Sequence, residues 1–241
     1  MLVEFAGCSG AGKSALYGRV RATLQWQQAR VVSPLEILLP HRLARAVGST
    51  RVANLALETA LRRWTSPALQ EFGSCWALAE ELVHRYSQSG RERWRLLRSV
   101  RRKLGVVLAC RRLAPNQLVL CDEGTVQLTH VLFGRAPDWN PLELERFVAA
   151  LPKPDCVVHV TVPLQVARTR IERRGKPPVP DRSESQRDRF LANAHAVFDH
   201  VYQDGDLRLR RQLIDNSVGD MATLASKASH LSEQLTKMFK H

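Results

Sequence analysis

Acidic residues are in short supply in this chain. Over 241 residues, 36 Lys and Arg face only 23 Asp and Glu, a formal charge of +13. Such a surface concentrates anions around itself by long-range attraction. Nucleotides, phosphorylated metabolites, nucleic acid and acidic membrane all match that charge, which by itself does not choose among them. Long apolar runs are missing too. None approaches the ~18 residues that span a bilayer, and the first residues lack the charged-then-apolar layout of a secretory signal, so we expect a cytoplasmic protein with no membrane partner. The five cysteines, Cys8, Cys75, Cys110, Cys121 and Cys156, are odd in number and widely spaced, with no C-x-x-C pair. Zinc ribbons and dithiol redox chemistry are thereby excluded, and reduced, mostly buried thiols are expected. The eight histidines include no H-E-x-x-H pattern, so no metal site beyond a magnesium one is expected. No internal repeat and no low-complexity segment interrupts the chain, whose length suits one catalytic domain.

What is present alternates between strands and helices. Leu2-Val3-Glu4-Phe5-Ala6 reads as a short buried strand, followed by a glycine-rich loop and a helix with Leu16, Val20 and Leu24 on one face. Val31-Val32 is a second short strand, closed by Ser33-Pro34 because proline removes a ladder donor. From about 41 to 113 the spacing is helical, through Leu55, Ala56, Thr59 and Ala60, then Leu78, Ala79, Leu82, Val83 and Tyr86. The last helix there, about 91–112, sets Leu96, Leu97, Val100, Leu104 and Val107 opposite Arg91, Arg95, Arg98 and Arg102. Leu118 to Cys121 and Cys156 to Val162 are continuous apolar runs of the kind a parallel sheet buries on both faces. Between them Asn140-Pro141-Leu142-Glu143 starts a helix with a cap, a first-turn proline and an acid at the capping-box position. Leu213-Ile214-Asp215 gives a fifth strand, and Met221, Leu224, Ala228, Leu231, Leu235 and Met238 a final helix. The expectation is an α/β domain with a five-stranded parallel sheet and ligands at the carboxyl ends of its strands.

The sharpest chemical signal is Gly7-Cys8-Ser9-Gly10-Ala11-Gly12-Lys13-Ser14, which fits G-x-x-x-x-G-K-[ST]. Glycines let backbone N–H groups close around phosphate oxygens, a lysine at position 13 neutralises β/γ charge, and the Ser14 hydroxyl suits Mg²⁺. Its place after a strand and before a helix is the context the motif needs. The strand ending in Asp122-Glu123 supplies a second element, because an acid beside such a loop can hold the Mg²⁺ shell or accept a proton from the attacking group. Either carboxylate suits the base, and Ser14 with Asp122 would hold the metal. Trp26, Trp64, Trp76, Trp94 and Trp139 read as core or interface residues, although an exposed one could stack on a base.

Further along, Val162-Pro163-Leu164-Gln165-Val166-Ala167, then Arg170, Arg174 and Gly175, resembles the strand, proline and helix that lead into an arginine-bearing lid in the thymidylate kinase and deoxynucleoside kinase group. Asp181-Arg182 and Phe190 resemble the lid's exit, and Leu213-Ile214-Asp215-Asn216-Ser217 the segment that passes the adenine. The resemblance runs over 1–33 and 95–235. It implies a three-layer P-loop NTPase fold in one domain over 1–241, with a helical acceptor-side region at 41–115 and a lid at 168–189. It also implies an ATP- and Mg²⁺-dependent kinase, with Lys13, Asp122 and Arg174 catalytic, Arg170, Arg174 and Asn216 joining residues 7–14 around ATP, and Asp122, Glu123 and Arg98 or Arg102 at a small-molecule acceptor. Similar kinases are homodimers, which the 41–112 helices would build. Two positions depart from the group. Glu123-Gly124 stands where an arginine grips the acceptor's phosphate, and Ser33-Pro34 where Glu-Pro is usual. The donor side of the pattern is thus intact and the acceptor side altered. Two other classes keep the same residues in view: an ATPase using Asp122-Glu123 to hydrolyse ATP, and a nucleic-acid binder or end kinase suggested by the charge.

Overall fold

The computed structural model describes residues 1–27, 30–39, 50–179, 182–203, 205–218 and 220–240. The start of the expected helical region, 40–49, and Asp181 of the expected lid exit lie outside the described residues. In chain order the elements are β1 (Leu2–Ala6), α1 (Lys13–Trp26), β2 (Val31–Val32), α2 (Pro34–Leu38), α3 (Thr50–Glu71), α4 (Gly73–Tyr86), α5 (Gly90–Leu113), β3 (Leu118–Asp122), α6 (Gln127–Phe133), α7 (Pro141–Ala150), β4 (Cys156–Thr161), α8 (Leu164–Arg174), α9 (Glu184–Val201), α10 (Gly205–Leu209), β5 (Arg211–Asp215) and α11 (Met221–Lys240).

The five strands form one all-parallel sheet in the order β2-β3-β1-β4-β5. Side chains alternate between its faces. Val3, Phe5, Leu118, Leu120, Cys156, Val158 and Val160 pack with Leu16, Val20 and Leu24 of α1 and Leu224, Ala228, Leu231 and Leu235 of α11. The opposite face of the sheet is covered by α5, α6, α7 and α9, with Leu104, Leu108, Phe133, Phe147 and Phe198 in that core. Helices on both faces explain why the strands are apolar throughout. The pairings Phe5↔Asp122, Ala6↔His159 and Thr161↔Asp215 bring the carboxyl ends of β1, β3, β4 and β5 to one edge. All five cysteines are buried and free, and no helix among the described residues is long and apolar enough to cross a membrane.

Local signals at two helix starts were read differently from what formed. Ser33 does more than end β2: its side chain accepts from the Glu36 N–H while Glu36 accepts from the Ser33 N–H, a full capping box for α2. The S-x-x-E spacing announces it. At α7 the Asn140 side chain caps the Leu142 N–H at 2.9 Å as expected, but Glu143 does not reach back. Its carboxylate is taken by Arg85 and by the Tyr86 hydroxyl at the end of α4. A guanidinium outcompetes a single backbone N–H for that carboxylate.

One acid is almost wholly enclosed by the fold. Glu4, in the middle of β1, is 1% exposed. Its carboxylate accepts the Gln127 N–H at 2.8 Å, the Val126 N–H at 3.0 Å and the Thr125 hydroxyl at 3.4 Å. No local side chain caps α6, so the central strand does it from across the sheet. Burial pushes the Glu4 carboxyl above its ordinary range, opposed by the Val126 N–H and the Lys103 charge. Glu4→Ala would strip the partners from two buried backbone donors at about 1–3 kcal/mol each. We expect the melting point to fall by roughly 4–24 °C at about 2–4 °C per kcal/mol for a chain of this size, read by circular dichroism. An unchanged melting point would mean that water replaces the carboxylate.

Candidate active site

The glycine-rich loop leaves β1 with Gly7, Gly10 and Gly12 all at positive φ, 148°, 84° and 89°. Gly12 is required twice over. A Cβ there would stand 2.4 Å from Asn216 Nδ2, in a backbone conformation that L side chains rarely adopt. The loop spends one N–H internally, from Ala11 to the Cys8 carbonyl at 3.2 Å. It is held from three sides. Gln127 clasps the Gly7 peptide, its Oε1 accepting the Gly7 N–H at 3.2 Å and its Nε2 donating to the Gly7 carbonyl at 3.1 Å. Asn216, just past β5, donates to the Ala11 carbonyl at 2.7 Å. The Cys8 thiol turns out to His195 Nε2 on α9 at 3.1 Å. Burial pushes that thiol up to about 11, so it stays protonated, and Cys8 faces the loop with its backbone.

Behind Gln127 sits His130, whose Nδ1 lies 3.1 Å from Gln127 Nε2. Burial, reinforced by the nearby Lys13 charge, drives this imidazole down to about 3. It is neutral and accepts from the amide, which fixes the amide's orientation toward Gly7.

Lys13 folds back over the loop, donating from Nζ to the Gly7 carbonyl at 2.9 Å and the Cys8 carbonyl at 3.1 Å, with Glu123 Oε1 3.6 Å away. The Ser14 hydroxyl donates to Asp122 Oδ2 at 3.0 Å. The two residues expected at a metal are therefore in contact, one from α1 and one from the end of β3. Among the described residues no group of three His, Cys, Asp or Glu could hold a metal by itself.

Asp122 and Glu123 reach solvent at their tips though protein surrounds most of each. Burial, then the neighbouring Glu123 charge, raises the Asp122 carboxyl above its ordinary range. Burial also works against ionising Glu123, but Lys103 and Lys13 outweigh it and hold that carboxyl low. Glu123 takes a left-handed φ of 68°, and the Lys103 ammonium donates to its carbonyl. Adjacent acids thus sit in opposite electrostatic environments. Lys103 was missed by sequence reasoning, although a lysine next to Leu104 on the buried side of an amphipathic helix is out of place and signals a contact.

Of the lid arginines, Arg170 is the one at the loop. It donates to the Asn216 carbonyl at 2.9 Å. Its other terminal nitrogen, NH1, is buried without a hydrogen-bond partner, 3.9 Å from where a Cβ on Gly12 would stand. Arg174, one turn later, is exposed and donates to the Lys176 carbonyl at 3.2 Å. The expected lid at 168–189 is largely helical, its ends belonging to α8 and α9. Nor is the connection between them without apolar anchorage. Val179 is 4% exposed, and the sequence reading took no account of it.

A cavity of about 620 Å³ opens between α5, the end of α6 and this connection, lined by Arg91, Arg95, Arg135 and Arg182 around Glu92. Glu92 accepts from Arg182 at 2.9 and 3.0 Å, from Arg135 at 3.2 Å and from the Gln88 N–H at 2.9 Å. Burial disfavours its charge, but those donors outweigh it and keep the carboxyl low. Ser99 also lines this cavity, and Lys103 stands one turn, about 6 Å, further along the same face of α5. Arg98 and Arg102, the two expected acceptor contacts, line a different groove against α3. There Arg98 pairs with Glu58. No protein-family model matches the chain, and no curated protein matches its sequence significantly.

Proposed function

We propose that this chain is an ATP-dependent phosphotransferase with a P-loop nucleotide site, similar to the thymidylate kinase group, acting on a small acceptor that is itself anionic. The observation that carries the reading is the buried, unpartnered NH1 of Arg170 beside Gly12. An unpaired buried donor is costly, and an anion in the loop would satisfy it. The three left-handed glycines, the strand–loop–helix setting and the position of β1 where the sheet order reverses all support the same site.

In this reading the loop and Arg170 hold the triphosphate, and Lys13 exchanges the Gly7 and Cys8 carbonyls for phosphate oxygens. Ser14 and Asp122 would hold Mg²⁺, which when bound neutralises charge on the phosphates. Asp122, with its raised affinity for a proton, suits acceptance of the acceptor's hydroxyl proton, while Glu123 stays ionised against Lys13 and Lys103. The four arginines around Glu92 leave a net cationic cavity, which suits an acceptor with its own phosphate or carboxylate, although no arginine follows Asp122. That cavity also favours a kinase over an ATPase, since hydrolysis needs no second pocket.

Lys13→Ala should lower transfer at least a hundredfold, the scale of losing one electrostatic stabiliser. Asp122→Asn should reduce kcat by about the same factor with a smaller change in KM for ATP. Both are read with labelled ATP and a panel of anionic acceptors. Wild-type turnover by folded Lys13→Ala protein would remove the site. In the pH profile of kcat/KM, which reports the free enzyme, activity should fall on the acid side as Asp122 gains its proton, above the ordinary aspartate value of about 3.9. Because the Glu123 charge helps raise Asp122, Glu123→Gln should move that limb to lower pH. A limb that stays put would assign the base elsewhere.

A further inference from the structure

Residues 41–113 carry fifteen Lys and Arg against five Asp and Glu, so ten of the thirteen net charges sit in this insertion rather than around the glycine-rich loop. On α5 alone eight arginines and Lys103 face one acid, Glu92. Only part of that charge turns toward the cavity at Glu92. Four others, Arg62, Arg98, Arg101 and Arg102, line a groove of about 340 Å³ between α3 and α5, together with Trp94 and Leu55. Glu58 is the single acid among the described lining residues, and it is engaged by Arg98.

Trp94 is 59% exposed, unusual for a residue of that size. The Arg98 guanidinium sits 4.9 Å from its ring centroid, and Arg101 lies 4.8 Å from the ring of Trp76. An exposed indole beside one guanidinium, in a groove lined by three further arginines, offers a stacking surface for a flat base with cations along the same groove for phosphates, the combination that single-stranded nucleic-acid sites use. A second copy of the chain is a poor occupant. An isologous contact through this face would set its arginines against themselves, so the homodimer expected from the 41–112 helices would need another surface.

We propose that the α3–α5 groove binds single-stranded nucleic acid, one base against Trp94 and neighbouring phosphates on Arg62 and Arg101, separately from the glycine-rich loop. The α5 helix, about 36 Å long at 1.5 Å per residue, gives the backbone a track beyond the groove. The same base-plus-phosphate chemistry is present in a free mononucleotide, and length dependence separates the two sources.

The test is fluorescence anisotropy of the full chain with a labelled twelve-residue oligothymidylate over a range of salt. Competitors are dTMP, ADP, a duplex of equal length, heparin and anionic phosphatidylserine vesicles. We expect binding that weakens steeply with salt, that ADP does not displace, and that the single strand wins over dTMP and duplex. Trp94→Ala should weaken it about tenfold or more with an unchanged salt slope, as loss of one stacked base does, and Trp94→Phe should recover much of it. Arg62→Glu with Arg101→Glu should reduce both affinity and slope. Oligothymidylate binding that is indifferent to Trp94, or heparin and duplex binding as tight as the single strand, would overturn the proposal in favour of a general anion surface. Capture by vesicles without binding of the oligonucleotide would overturn it in favour of a membrane contact. Displacement by dTMP at equal nucleotide concentration would reassign the groove to a mononucleotide.

Discussion

The carboxylate of Glu4 fixes the site from underneath. A carboxylate buried in the central strand is tolerable only because backbone donors converge on it, and those donors belong to Val126 and Gln127. Holding the Gln127 N–H sets where the Gln127 side chain starts, and that side chain clasps the first peptide of the glycine-rich loop. The same peptide's carbonyl receives Lys13. One buried acid thus orients, through two residues, the backbone from which the loop departs. It also explains why the start of α6 needs no cap of its own.

A second constraint acts from above. Arg170 and Asn216 lock together, and Asn216 holds the Ala11 carbonyl while occupying the space beside Gly12. The loop is braced at both ends before any ligand arrives, so little backbone entropy remains to be lost on binding. The braces come from the end of β5 and from α8, elements that the chain supplies more than 150 residues after the loop itself.

Patterns confined to a few neighbouring residues were legible in the sequence. The loop, the strand ending in Asp122, the five strands and the order of their helices could be read because periodicity and glycine spacing are local. Contacts set by the tertiary fold were not. Arg182 reaches Glu92 across 90 residues, and nothing near either names the other. Glu4 and Lys103 were within reach, since each is a charge where the pattern calls for an apolar side chain. Arg91 and Arg95 were separated from Arg98 and Arg102 only by the rotation of α5, which a helical stripe four residues deep leaves undetermined until α3 packs against it.

The brace from Asn216 bears on how the protein is made. Residues 7–14 leave the ribosome well before the strands beside them, since β1 pairs with β3 and β4, whose residues follow more than a hundred positions later. Contacts of such high sequence separation form late and slowly. The glycine-rich loop therefore stays unbraced until β5 has been made, and only then can Asn216 close over Ala11.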